Sequence, residues 1–319
     1  MILLTGGTGF VGRAALDSLQ NHTPIRLALR GSLPERFSKS VEHVRASLSP
    51  DQDWADAVAG VTVVLHCAAR VHVMHEESAD PLREFRRVNV EGTLRLARQA
   101  ARAGARRFLF VSSIGVNGGE TFGHPFVADS QVAPHSPYAL SKHEAEIGLR
   151  ELAHETGMEV VVIRPPLIYG PNAPGNFSSL MKWLNSGVPL PLGAVTGNRR
   201  SLVALDNLID LIVTCIDHPA AANQTFLVSD GESLSTASLL RRMGEALGRP
   251  ARLIPVPVPL LQMGAALLGK QDVAQRLCGS LEVDIGKTTE LLGWTPPISV
   301  DEGLRRTAVH WLATEGAGN

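Results

Sequence analysis

The chain carries no surplus of charge of either sign. Thirty basic and 31 acidic residues among 319 leave a formal net charge of −1. No long run of one sign occurs, so neither nucleic acid nor an anionic membrane is expected as a partner. Cysteine is scarce. Cys67, Cys215 and Cys278 are odd in number, widely separated and form no Cys-x-x-Cys pair, which fits buried apolar thiols in a reducing compartment. Long apolar runs are missing too. Met1 to Leu4 reaches a glycine turn too early to form a signal peptide. The longest apolar segment, Val256 to Leu268, has three prolines in or beside it and falls short of the ~20 residues of a membrane span. Repeats and low-complexity tracts are absent. A soluble, cytoplasmic protein of ordinary globular composition is expected.

What is present begins at the first residues. Ile2-Leu3-Leu4 reads as a buried strand, followed by Thr5-Gly6-Gly7-Thr8-Gly9-Phe10-Val11-Gly12 and a helical apolar pattern at Val11, Ala14, Ala15 and Leu19. Strand, glycine turn and helix in that order make a dinucleotide site. Gly6 permits the tight turn, Gly9 lets backbone approach a pyrophosphate, and Gly12 allows close helix packing, with helix N–H groups facing the phosphates. Ile25 to Leu29 reads as a second strand. Its end carries Arg30-Gly31-Ser32, where an acidic residue would bond the ribose hydroxyls. A guanidinium pairs instead with a 2′-phosphate, so NADP(H) is the expected cofactor and NAD(H) the alternative.

Val61 to Ala69 reads as a strand ending in small residues, with Ala68 and Ala69 suited to close backbone approach. His66 there is expected as a satisfied core histidine, and His72 and His75 as loop residues. Glu84 to Arg102 is an amphipathic helix in which Asn89 needs a local partner for its amide. Phe108 to Val111 forms another buried strand, and Ser113 stands beyond its carboxyl end, where open α/β sheets bind ligands. Tyr138 and Lys142 lie one turn apart at the start of a helix. An ammonium beside a phenol favours the phenolate and brings a pKa of ~10 towards the working range. Val160 to Ile163 is the next strand, and the alternation argues a doubly wound parallel sheet.

Taken together, Thr5-Gly-x-x-Gly-x-x-Gly12, Asn89, Ser113, Tyr138-x-x-x-Lys142 and Arg164-Pro165 resemble the extended short-chain dehydrogenase/reductases. Within these, the set is most similar to the nucleotide-sugar epimerase/dehydratase group, over almost the whole chain. The resemblance implies a Rossmann domain over residues 1–168 and a smaller C-terminal substrate lobe over 169–319, interleaved with the end of the sheet. It implies a catalytic Ser113, Tyr138 and Lys142. Cofactor contacts are expected from Gly6, Gly9, Phe10, Val11, Gly12, Arg30, Leu48, Ala68, Ala69, Asn89, Tyr138, Lys142 and Pro165. Substrate contacts are expected from Ser113, Asn176, Leu192 and Arg200, with Arg199 as the fallback for Arg200, and no metal is expected. Arg199 to Asn207 follows the family's Arg-x-aromatic-Val-x-Val-Asp-Asp pattern, with Leu202 for the aromatic and Asn207 for the second aspartate. Asp284, Lys287 and Leu291 to Pro296 form a closing segment of the family's kind. Leu260 to Leu268 reads as an apolar helix packed on the lobe, with a place at a membrane edge as the alternative. A homodimer through the Glu84–Arg102 and Tyr138–Glu155 helices is the family's arrangement.

The neighbours of Ser113 narrow the reaction. Members that eliminate water carry an Asp-Glu pair after the catalytic serine or threonine. Ile114-Gly115 stands here and neither side chain transfers protons, which excludes 4,6-dehydration. Asn117 replaces a tyrosine common in epimerases, and Arg30 replaces an acid. These point to an NAD(P)H-dependent reductase of a UDP-4-keto-6-deoxy-N-acetylhexosamine serving bacterial polysaccharide synthesis. A UDP-sugar 4-epimerase with tightly bound NAD is the alternative, and a non-catalytic dinucleotide-binding regulator a distant one.

Overall fold

A computed structural model describes residues 1–31, 41–71 and 80–316. In chain order the first elements are β1 (Ile2–Thr5), α1 (Phe10–Leu19), β2 (Ile25–Leu29), β3 (Glu42–Arg45), α2 (Ala55–Val58) and β4 (Val63–His66). A continuous helical stretch follows: α3 (Pro81–Phe85), a π-helical segment (Arg86–Gly92) and α4 (Thr93–Arg102). Then come β5 (Arg107–Val111), α5 (Pro137–Thr156), β6 (Glu159–Arg164), β7 (Leu167–Tyr169) and α6 (Asn176–Ser186). The remainder is β8 (Arg200–Ala204), α7 (Leu205–Asp217), β9 (Thr225–Leu227), β10 (Ser233–Leu234), α8 (Thr236–Ala246), α9 (Val258–Leu267), α10 (Gln271–Cys278), α11 (Gly286–Leu292) and α12 (Val300–Gly316).

Seven parallel strands form the main sheet in the order β3-β2-β1-β4-β5-β6-β9. Two apolar cores cover its faces. One joins α1 and α7 to Leu4, Leu27, Leu65, Leu109 and Ile163. The other joins α4 and α5 to Leu3, Val64, Phe108 and Val162. A parallel strand buried on both sides has no polar face, which is why these segments read as unbroken apolar runs. β3 is different. Its sequence Glu-His-Val-Arg is mostly exposed. It pairs with β2 at the sheet edge through backbone and an Arg26–Glu42 ion pair at 2.7 Å, so hydrophobic patterning does not disclose it.

β9 and α7 come from beyond residue 169, so the chain returns to the main sheet after entering the lobe. The lobe is built on a second sheet, β10-β8-β7, and on a core containing Tyr169, Phe177, Met243 and Leu304. Tyr169 stacks on Phe177 with ring centroids 5.4 Å apart, and its hydroxyl donates to Asp230 Oδ2 at 2.7 Å and Val300 O at 3.2 Å. Asn207 donates to Asp230 Oδ1 at 2.6 Å and to Ile298 O at 2.9 Å. An aspartate at 207 would oppose Asp230 with a second carboxylate, so this departure from the family pattern has a structural reason. Among the described residues no helix is long and apolar enough to cross a membrane.

Candidate active site

The parallel register brings Thr5 level with His66 and His66 level with Phe110, so the carboxyl ends of β1, β4 and β5 open on one crevice. At the end of β1, Gly6 has φ +74°. A Cβ there would meet Ala68 N at 2.7 Å, and one on Gly12 would strike the Gly6 carbonyl. Gly9 N donates to Gly6 O at 2.9 Å, and Gly9 opens α1 without a side-chain cap. The turn is therefore a cradle of bare backbone, and the first N–H groups of α1, at Phe10 and Val11, are available to an anion. This donor set fits the pyrophosphate of a dinucleotide.

Around the cradle, Thr5 Oγ1 accepts from Ala68 N at 3.3 Å and lies 2.8 Å from His66 Nδ1. His66 Nε2 lies 3.0 Å from Thr93 Oγ1. With both ring nitrogens bonded, and with burial and then Lys142 pushing its pKa down to about 3, His66 is a neutral core residue. Arg30 is exposed at the end of β2. Ala46 N donates to Leu29 O at 2.8 Å, and the half-buried Leu48 backs onto Gly92, whose Cβ would sit 3.1 Å from it. Ser32, His72 and His75 lie outside the described residues.

Asn89 is buried within the π-helical segment. Its amide donates to Arg70 O and to Ser141 Oγ, both at 3.0 Å, and its Oδ1 accepts from Arg70 N at 2.8 Å. Ser141 Oγ in turn donates to Tyr138 O at 2.7 Å. Asn89 thus ties the loop beyond β4 to the first turn of α5, so protein groups account for the local job its sequence context required. Ser136 caps that helix by accepting from Ala139 N at 3.2 Å, and Pro137 occupies its first turn, the Ser-Pro chemistry of a helix start.

Ser113 caps the short turn Ile114–Val116 by accepting from Gly115 N at 3.1 Å. A Cβ on Gly115 would lie 3.3 Å from Ala139 Cβ, so the Ser113 turn rests on the start of α5, beside Tyr138. Pro165 is buried, and its carbonyl accepts from Ile114 N at 3.0 Å. Tyr138 packs edge-on to Phe85 at 6.1 Å, and burial pushes its phenol up to about 12. Lys142 is buried with Nζ 4.0 Å from the centre of the Phe110 ring. Burial pulls its ammonium down to about 7, with Glu146 opposing.

The expected coupling of lysine to tyrosine is not what this geometry gives. No hydrogen bond joins the two side chains among the described residues, and the tyrosine's shift comes from burial alone. Helical spacing puts both on one face, but the lysine stem dives towards β5 and places its charge on an aromatic face.

One feature of the site escaped sequence reasoning. One turn beyond Lys142, the buried Glu146 receives Arg164 Nε at 2.9 Å and Nη2 at 2.5 Å, and Ser112 Oγ at 2.6 Å. Arg164 Nη1 donates to Asn117 Oδ1 at 3.0 Å, and Asn117 Nδ2 to Val127 O at 3.2 Å. Burial works to raise the Glu146 carboxyl, yet the Arg164 contacts and the Ser112 hydroxyl hold it below its ordinary value. The spacing Tyr138, Lys142, Glu146 was the available signal, since i, i+4 and i+8 share a helix face. Asn117, which stands where epimerases commonly have a tyrosine, is held in this buried network.

In the lobe, Arg200 is half-buried and donates to Gly279 O at 3.2 Å. Burial lowers its pKa and Arg276 adds to that, while Glu120 opposes. A half-buried arginine with the exposed Arg276 close enough to repel its charge fits a diphosphate; Arg276 was not anticipated. Arg199 points elsewhere, pairing with Glu282 at 2.8 Å. Leu192, expected on the substrate, is instead buried in the lobe core. Asn176 begins α6; its side chain lies outside the described residues. No cluster of metal-ligating side chains occurs among the described residues.

Fold and site define a short-chain dehydrogenase/reductase of the extended type, a dinucleotide-binding sheet with a substrate lobe. The family model "NAD dependent epimerase/dehydratase family" matches residues 2–229, and the chain belongs to that family. It is 46% identical over 314 residues to a UDP-glucose 4-epimerase of Vibrio cholerae, covering 98% of this chain and 95% of that one. The fold is shared with a UDP-glucose 4-epimerase of Thermotoga maritima solved with UDP-glucose, at 22% identity and a TM-score of 0.78, over 98% and 99% of the two chains. An Agrobacterium tumefaciens short-chain dehydrogenase/reductase superfamily protein solved with bound NAD aligns at 24% identity and a TM-score of 0.77, over 100% and 98%.

Proposed function

We propose that this enzyme acts at C4 of a UDP-hexose as a 4-epimerase. The observation that carries the reading is the 46% identity to a UDP-glucose 4-epimerase along 98% of the chain, in a protein that keeps Ser113, Tyr138 and Lys142 at the crevice. A nicotinamide dinucleotide, when bound, supplies hydride exchange with the sugar carbon. Gly6, Gly9, Phe10, Val11 and Gly12 would hold its pyrophosphate, with Arg30, Leu48, Ala68, Ala69 and Pro165 lining the rest of its course. Asn89 positions that wall through Arg70 and Ser141.

Tyr138 Oη takes and returns the proton of the sugar 4-hydroxyl, and Ser113 Oγ hydrogen-bonds the same oxygen. Lys142, poised near neutrality, supplies positive charge at the crevice floor. Arg200 and Arg276 bind the diphosphate, with the start of α6 at Asn176 alongside. The division into 1–168 and 169–319 and a homodimer through the Glu84–Arg102 and Tyr138–Glu155 helices belong to the same reading.

A second reading, a 4-ketoreductase using NADP(H), is favoured by one observation, Arg30 at the end of β2. Purified protein incubated with UDP-glucose and no added cofactor should form UDP-galactose until the two equilibrate. No interconversion of UDP-glucose or UDP-N-acetylglucosamine, together with stoichiometric NADPH consumption on a UDP-4-keto-6-deoxyhexose, would replace the epimerase with the reductase.

A further inference from the structure

The seventeen residues 253–269 carry no charged side chain, and they include α9, which has no fully buried residue. Only Val258 and Leu261 of this helix pack against the lobe core. Leu260, Met263, Leu267 and Leu268 stand at i, i+3, i+7 and i+8, one helical face, and all four are exposed, Leu267 at 83% and Leu268 at 74%. Ile254 at the approach to the helix is exposed as well. A helix apolar on both its inner and outer faces belongs in a core or in lipid, yet this one lies on the surface.

The charges around it are one-sided. Arg249, Arg252, Lys270 and Arg276 flank the segment against Asp272 alone, in a chain whose net charge is −1. Arg252 and Lys270, exposed at either end of the apolar run, make no ion pair among the described residues. The near-neutral total conceals this local excess. Trp183 on α6 is exposed as well, and the end of that helix is tied to the residues before α9 where Arg249 Nη1 donates to Asn185 O at 2.6 Å.

We propose that the α9 face is a peripheral membrane-docking surface for an anionic bilayer. The helix is too short to span and lies in the plane of the interface, its leucines among the acyl chains and Arg252 and Lys270 at the head groups. Charge complementarity selects this occupant: a second copy of the chain would bring the same basic rim against itself.

The proposal does not depend on the reaction assigned above, and its test reads binding rather than turnover. The full chain is sedimented with vesicles of equal parts phosphatidylglycerol and phosphatidylcholine, and with vesicles of phosphatidylcholine alone. Binding to the anionic vesicles should exceed binding to the neutral ones by tenfold or more and weaken as salt rises. Leu267→Glu/Leu268→Glu, both at exposed positions, should lower it at least tenfold, and Arg252→Glu/Lys270→Glu likewise, with melting temperature unchanged. Equal binding to both vesicle types, or unaltered binding by the leucine variant, overturns the proposal. So does absence of binding, and so does a leucine variant whose only change is a halved mass in solution, which would make the face an interface between copies.

Discussion

At the scale of single residues, the site rests on two pKa shifts with one cause. Burial pushes the Tyr138 phenol up to about 12 and pulls the Lys142 ammonium down to about 7. Tyr138→Phe keeps the ring and its packing on Phe85 and removes only the proton carrier. It should lower turnover by ~10²–10⁴-fold or more, the worth of general acid–base catalysis, while a fluorescence titration shows dinucleotide affinity unchanged. Retained turnover would remove Tyr138 from its role. Lys142 gives a pH signature. Below pH 7 the folded chain must hold a buried ammonium, so its cost is fully present there. Between about pH 7 and the ordinary lysine value the unfolded chain binds more protons than the folded one, so stability gains with rising pH. Urea unfolding without nucleotide should therefore show Lys142→Met stabilised over the native protein by on the order of a few kcal/mol at pH 6.5, and by clearly less at pH 9.5. A difference that is flat with pH would mean the lysine is not buried as described.

At the scale of elements, the legible and the illegible divide by what a strand or helix buries. β1, β2, β4, β5 and β6 sit inside two apolar layers and announce themselves as apolar runs. β3 is held at an edge by backbone pairing and the Arg26–Glu42 ion pair, and leaves no such trace. The catalytic helix was legible because Ser136, Pro137, Tyr138 and Lys142 are local chemistry. The Glu146–Arg164 pair that locks this helix to β6 joins residues 18 apart in sequence, and only the helical spacing of Tyr138, Lys142 and Glu146 hints at one partner. Leu192 illustrates the converse: the family resemblance put it on the substrate, and it packs into the lobe core. Asn207 carries the prediction at this scale, since it links α7 to Asp230 and to Ile298 before α12. Asn207→Asp exchanges a donor for a carboxylate beside Asp230 and should cost ~2–4 kcal/mol at pH 8. The two carboxyls would share a proton as pH falls, so thermal melts should show a smaller deficit at pH 5. An unchanged melting temperature at pH 8 would show that the contact has little weight.

At the scale of the molecule, the family resemblance was the most productive reading, because motifs spread from Thr5 to Arg164 must converge to make one crevice. Balanced net charge was the least productive, since an average hides where charges lie. Dimerisation is the property expected of the whole. Light scattering should give twice the 34.1 kDa of the chain, and a single-chain mass would set aside the α4–α5 interface. A last consequence comes from Tyr169, buried in the lobe with Asp230 accepting from its hydroxyl. The chain has only two tyrosines, and burial together with the Asp230 charge drives Tyr169 far above its ordinary value. Ultraviolet phenolate absorbance of the folded protein therefore belongs to Tyr138 alone. An alkaline spectrophotometric titration of the folded enzyme thus reads Tyr138 by itself, without label or substitution.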